Sequence, residues 1–175
     1  MIRVLIALSL TAVLSGCVIV AGRGDSAPAA SRQHLAPPGW EGSYHRWHYT
    51  PALKVGKTVY ISGIPAAEGA TYEEKVRWMF EQLKAHLAAA GASLEDVVEL
   101  TSFHVEPRDT AAFRAEFARF AAIHHEYFPQ AYPAWTAVGT TALLADGAPV
   151  ELRAVAVIGS GRRPRVDIAP ATGQH

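Results

Sequence analysis

Apolar positions along this chain switch between two spacings, and the switches mark the elements. Lys54-Val55-Gly56-Lys57-Thr58 has the composition of a hairpin turn between a first strand near Tyr49 and a second over 58–62, which Gly63 would end. Val76, Phe80, Leu83 and Leu87 then recur three or four apart, the period of a helix with one buried stripe. Thr71 and Glu74 stand three apart just before that stripe, as a capping box requires, and Gly91 is placed to terminate it. Residues 97–105 alternate with β-branched and aromatic content and read as a strand that Pro107 and Asp109 break. Phe113, Phe117, Phe120 and His124 return to helical spacing. Phe128-Pro129 and Pro133 mark a loop, and 135–141 and 149–158 are the last two strands. The expected order is β-β-α-β-α-β-β, an α+β fold with a mixed sheet and two helices on one face.

The last strand is apolar on both faces, with Val150, Leu152, Ala154 and Ala156 on one side and Val155 and Val157 on the other. Such a strand is normally buried on both faces. Two helices cannot provide that cover, so self-association is expected.

The N-terminus follows a different logic. Arg3 precedes an apolar run over 4–13, too short to span a membrane, and the run ends in Leu14-Ser15-Gly16-Cys17. This resembles the lipobox of bacterial lipoproteins, which implies a signal peptide over 1–16 and an acylated Cys17. Each buried methylene of an acyl chain contributes about 0.8 kcal/mol, so more than one chain gives a stable membrane anchor. Cys17 is the sole cysteine, which excludes thiol catalysis, disulfides and cysteine-based metal sites in the remainder. Residues 17–39 are rich in Ala, Ser, Pro and Gly and read as a flexible tether. The domain is then 40–159, followed by a tail over 160–175. The expected location is extracytoplasmic, on the outer membrane of a two-membrane cell because Val18 is not an aspartate.

Charge narrows the partners. The chain carries 16 basic and 16 acidic residues, and only Arg162, Arg163 and Arg165 cluster. No basic stripe points to nucleic acid. His45 and His48, and the adjacent His124 and His125, lack the spacing of a metal site. No cofactor motif, phosphate loop or Ser-His-Asp ordering stands out.

Four segments taken together resemble the reactive intermediate deaminase (RidA, or YjgF) family. They are Tyr49 with the stretch 55–63 ending in Ser62-Gly63, the segment Ala89-Ala90-Gly91-Ala92-Ser93-Leu94-Glu95-Asp96, the run Pro133-Ala134-Trp135-Thr136-Ala137-Val138, and Val150-Glu151-Leu152-Arg153-Ala154. The resemblance implies a chorismate-mutase-like trimer with small-molecule clefts between subunits, in which amino-acid imines and enamines are hydrolysed to 2-keto acids and ammonia. It places Tyr49, Ser62, Gly63, Ala134, Trp135 and Ala137 at ligand-binding positions and Glu151 at a catalytic one. A carboxylate in an apolar strand is seldom buried without a partner. The rival for Glu151 is a structural pair with Arg153, two residues on and on the same face.

Three positions depart from the family pattern. Ile64 stands where a glutamine is common, Ala137 where a cysteine is common, and Trp135 where an arginine holds the substrate carboxylate. Indole has one N–H and no charge, whereas guanidinium forms a bidentate fork. Each charge-assisted hydrogen bond contributes about 1.5–3 kcal/mol, so carboxylate-bearing imines should bind weakly. Trp135 either lines a more apolar cleft or packs in the core. The alternatives to a binding protein are a working deaminase that uses Arg153 or Lys54 as its cation, and a non-catalytic interaction trimer.

Overall fold

The computed structural model describes residues 31–169. The signal peptide over 1–16, Cys17 and the first part of the tether lie outside the described residues, as does the end of the tail. The elements are β1 (Arg32–Leu35), α1 (Glu41–His45), β2 (Ala52–Val55), β3 (Thr58–Pro65), α2 (Tyr72–Ala89), β4 (Val97–Val105), α3 (Thr110–Tyr127), β5 (Ala134–Thr140) and β6 (Val150–Val157).

The α+β architecture expected from the patterning is present. The six strands form one mixed sheet in the order β1-β2-β3-β6-β4-β5. Neighbours are antiparallel except β4 and β5, which are parallel because α3 carries the chain back between them. Val150, Leu152, Ala154 and Ala156 are fully or almost fully buried on one face of β6, together with Ile61 and Leu100. The core stripe of α2, from Val76 through Phe80 and Leu83 to Leu87, is buried with them. Thr71 Oγ1 accepts from the Glu74 N–H at 3.2 Å, and the Glu74 carboxylate accepts from the Thr71 N–H at 3.0 Å. Such a cap contributes about 0.5–2 kcal/mol. On α3 the Asp109 carboxylate caps the Ala112 N–H at 2.8 Å, so the residue that breaks β4 also starts the helix.

Three boundaries differ from the sequence expectation. Residues 32–35, assigned to the tether, form an edge strand on β2, so the domain begins at least eight residues earlier than Trp40. The first strand of the hairpin begins at Ala52, and Tyr49 lies in the loop before it, its N–H bonded to Ser43 O. Gly63 does not end β3. The register slips between Ile61 and Ile64, so that Ser62 and Gly63 together face one residue of β6. This bulge keeps Val59, Ile61 and Ile64 all on the buried face, although their spacing in sequence breaks alternation. The tail is anchored at its start, where Asp96 Oδ1 accepts from the N–H groups of Gly159 and Gly161.

Candidate functional site

The bulge in β3 also builds a cleft. Ser62 N–H donates to Pro51 O at 3.0 Å, extending the β2–β3 pairing past the bulge, and Ser62 Oγ donates to Thr50 O at 2.7 Å. Gly63 faces the side chain of Glu151 so closely that a Cβ there would collide with the Glu151 carboxylate. Ser62, Gly63, Pro65 and Glu151 line a cleft of about 500 Å³ with Tyr49. Trp40 and Trp47 flank α1 and supply a further wall, and Leu144 and Ala145 come from the loop between β5 and β6. Trp40 is held in place by its Nε1–H, which donates to Gln82 Oε1 at 2.9 Å, and by an edge contact with His86 at 4.6 Å.

Glu151 is half-buried and has no hydrogen-bond or ion-pair partner among the described residues. Desolvation pushes its carboxyl above the usual carboxylate range. The structural rival is displaced, because Arg153 pairs with Glu99 at 3.1 Å. Lys54 points toward α2 and donates to Ala90 O at 3.2 Å. Neither cation lines the cleft.

Tyr49, Ser62, Gly63 and Glu151 are therefore brought together, whereas Ala134, Trp135 and Ala137 lie elsewhere in the same chain. Trp135 pairs with the buried Leu100 on β4 and turns toward α3. Its ring stacks on His124 at 4.5 Å and lies 4.7 Å from Phe117 and 5.4 Å from Phe120. Ala137 lines a shallow groove with Phe113, Arg114 and Phe117, and Ala134 is exposed on β5.

Beneath Trp135 runs a polar chain that the sequence reading did not anticipate. Trp135 Nε1–H donates to Ser102 Oγ at 2.9 Å. Ser102 Oγ and His104 Nε2 are 2.8 Å apart, and His104 Nδ1 and Glu116 Oε2 2.7 Å. Tyr72 O–H donates to the other Glu116 oxygen. With the His104 proton on Nδ1 every donor has an acceptor. The Ser102–His104–Glu116 connectivity is that of a nucleophile, base and orienting carboxylate. Ser102 and His104 are nonetheless fully enclosed, and the Ser102 oxygen is already covered by the indole. No reacting carbonyl has access, so the chain supports the core. Its signal in the sequence was slight: Ser102 and His104 alternate onto one face of β4, but Glu116 joins them only through the fold.

His124 is the exception within this region. It is buried, its Nε2 has no partner, and desolvation pushes its pKa down to about 4. Among the described residues no group of three His, Cys, Asp or Glu side chains could hold a metal ion.

Comparison with known proteins places this geometry among relatives. Residues 44–158 match the family model described as endoribonuclease L-PSP. The RutC family protein YjgH of Escherichia coli K12 is 32% identical over 133 residues, covering 73% of this chain and 95% of that protein. A solved structure of protein YjgH superposes with a TM-score of 0.62 at 31% identity, covering 73% of this chain and 96% of that one. A 2-iminobutanoate/2-iminopropanoate deaminase of Dermatophagoides farinae is 31% identical over 117 residues, covering 63% of this chain and 85% of that protein.

Proposed function

The chain belongs to the L-PSP endoribonuclease family, also called RutC or YjgF, and on that premise we propose that it binds a small molecule in the cleft over Glu151 and hydrolyses carboxylate-bearing imines poorly. The observation that carries this reading is the Glu151 carboxylate, desolvated and without a partner beside Tyr49, Ser62 and Gly63. The ionised Glu151 carboxylate, made more basic by desolvation, can take a proton from water as it adds to a C=N carbon. It can return that proton to the departing nitrogen, so that imine and water become carbonyl and ammonia. Such acid–base help is worth about 10²–10⁴-fold when substrate is held beside the group. Among the described residues of one subunit the cleft lining has no cation to hold a carboxylate, and Trp135 stands where the family pattern has arginine.

We further propose that the chain is a homotrimer, lipid-anchored through Cys17 to a bacterial membrane on the periplasmic side. The sheet face opposite the helices leaves Tyr60 44% and Val138 39% exposed, with Val155 and Val157 half-buried beside them, which supports burial against further copies. In a trimer the groups around Glu151 and around Ala137 could come from neighbouring subunits. Sedimentation at micromolar concentration tests the assembly, and a stable monomer counts against it. Cys17→Ser should move the protein from the membrane to the soluble fraction, and unchanged membrane association would reject the anchor.

A second reading is an active 2-imino acid deaminase with a relocated cation. Arg114 favours it, because it lines the groove beside Ala137 and has no ion-pair partner among the described residues. Assay of the full chain with 2-aminoacrylate-type imines separates the two. The main reading expects slow wild-type turnover. Robust turnover that Arg114→Ala abolishes would replace it with the second.

A further inference from the structure

The walls of the cleft state a charge preference. Within one subunit Trp40, Trp47 and Tyr49 present aromatic surface, Glu151 presents a carboxylate, and among the described residues no Lys, Arg or His lines the space. Against this subunit's walls an anionic ligand would meet Glu151 with nothing to offset it. A neutral ligand would gain apolar contact only. A cation gains twice, from the carboxylate and from the negative faces of the rings. Trp40 is a fixed wall, because Gln82 and His86 hold its ring on α2. It also precedes the stretch 44–158 matched by the family model, so this wall is an addition outside the matched segment. The nearby cations are committed elsewhere, Lys54 to Ala90 O and Arg153 to Glu99.

We propose that the cleft selects a small organic cation, an amine, iminium or quaternary ammonium group, seated against Trp40, Trp47 and Tyr49 with its charge beside Glu151. This rests on the reading of the cleft as the ligand site and names the ligand class for it. The chemistry open to such a ligand is the hydrolysis of an iminium, R₂C=NH₂⁺ with water giving R₂C=O and NH₄⁺, without a ligand carboxylate, for which these walls hold no cation.

Three probes of nearly the same shape and different charge provide the test: choline, 3,3-dimethylbutan-1-ol and 3,3-dimethylbutanoate. Calorimetric titration of the full chain should give binding of choline about tenfold tighter than of the alcohol, the difference expected of one cation–π and carboxylate site. The butanoate should bind weakest. Glu151→Gln and Trp47→Ala should each reduce the preference for choline, with Trp135→Phe leaving it in place. Equal binding of the alcohol, or tighter binding of the butanoate, would overturn the charge preference while keeping the cleft as the ligand site. Binding of none of the three would overturn both.

Discussion

Two regions of this domain each bury ionisable side chains, on opposite sides of one sheet, and treat them differently. Under α3 the chain from Trp135 through Ser102, His104 and Glu116 to Tyr72 leaves each of those groups with a partner. Over the bulge in β3, Glu151 has none. A satisfied buried network specifies and stiffens a core, whereas an unsatisfied group retains free energy that a ligand or a proton can claim. By this contrast the triad-like arrangement is structural and the lone carboxylate is the chemical group, the reverse of what residue types alone suggest.

The largest expected effect breaks the sealed side. His104→Ala opens a cavity and strands Ser102 and Glu116, at a cost of about 3 kcal/mol or more, read from the urea midpoint. Gly63→Ala sharpens the open side. Its methyl must displace the Glu151 carboxylate, which the flexible side chain permits at little cost in stability, and should abolish choline binding while the protein stays folded.

The two regions should also respond to pH with opposite signs. His124 is neutral in the fold with a pKa near 4 against an ordinary 6.5, so the unfolded chain binds the proton first. Its contribution to stability is present above pH 6.5 and declines as pH falls from there toward 4. His124→Phe should flatten that part of the stability profile. Glu151 is raised instead, so its ionisation burdens the fold at neutral pH and the burden vanishes below its unfolded value. Glu151→Gln should therefore raise the melting temperature slightly at pH 7 and have no effect near pH 4, measured as paired melting curves. If Glu151→Gln destabilises at neutral pH, the carboxylate has a partner and the contrast fails.

Much of this fold was legible because its signals are local. The Thr71–Glu74 box and the Val76, Phe80, Leu83, Leu87 stripe need only helical geometry, β4 needs only alternation, and β6 shows as a short run apolar on both faces. What escaped depends on register. Arg32-Gln33-His34-Leu35 is polar and mostly exposed, so nothing in its pattern announces an edge strand. The bulge hides in Ile61-Ser62-Gly63-Ile64, where the Ser-Gly pair looks like a strand end and only pairing with β6 shows two residues against one. Which face Trp135 occupies follows from its pairing with Leu100, which is invisible along the chain. The grouping of Tyr49, Ser62, Gly63 and Glu151 was suggested by resemblance, whereas Trp40 and Trp47 reach the cleft only because α1 folds them back onto it.

The contrast rests on the state of one carboxyl group, and that group can be observed. Carbon-13 NMR titration of the Glu151 side chain in the full-length protein should give a midpoint above the ordinary 4.5. Saturating choline should lower that midpoint, because a cation beside the carboxylate favours its ionised form. A midpoint at or below 4.5 in the free protein, unmoved by choline, would contradict the account.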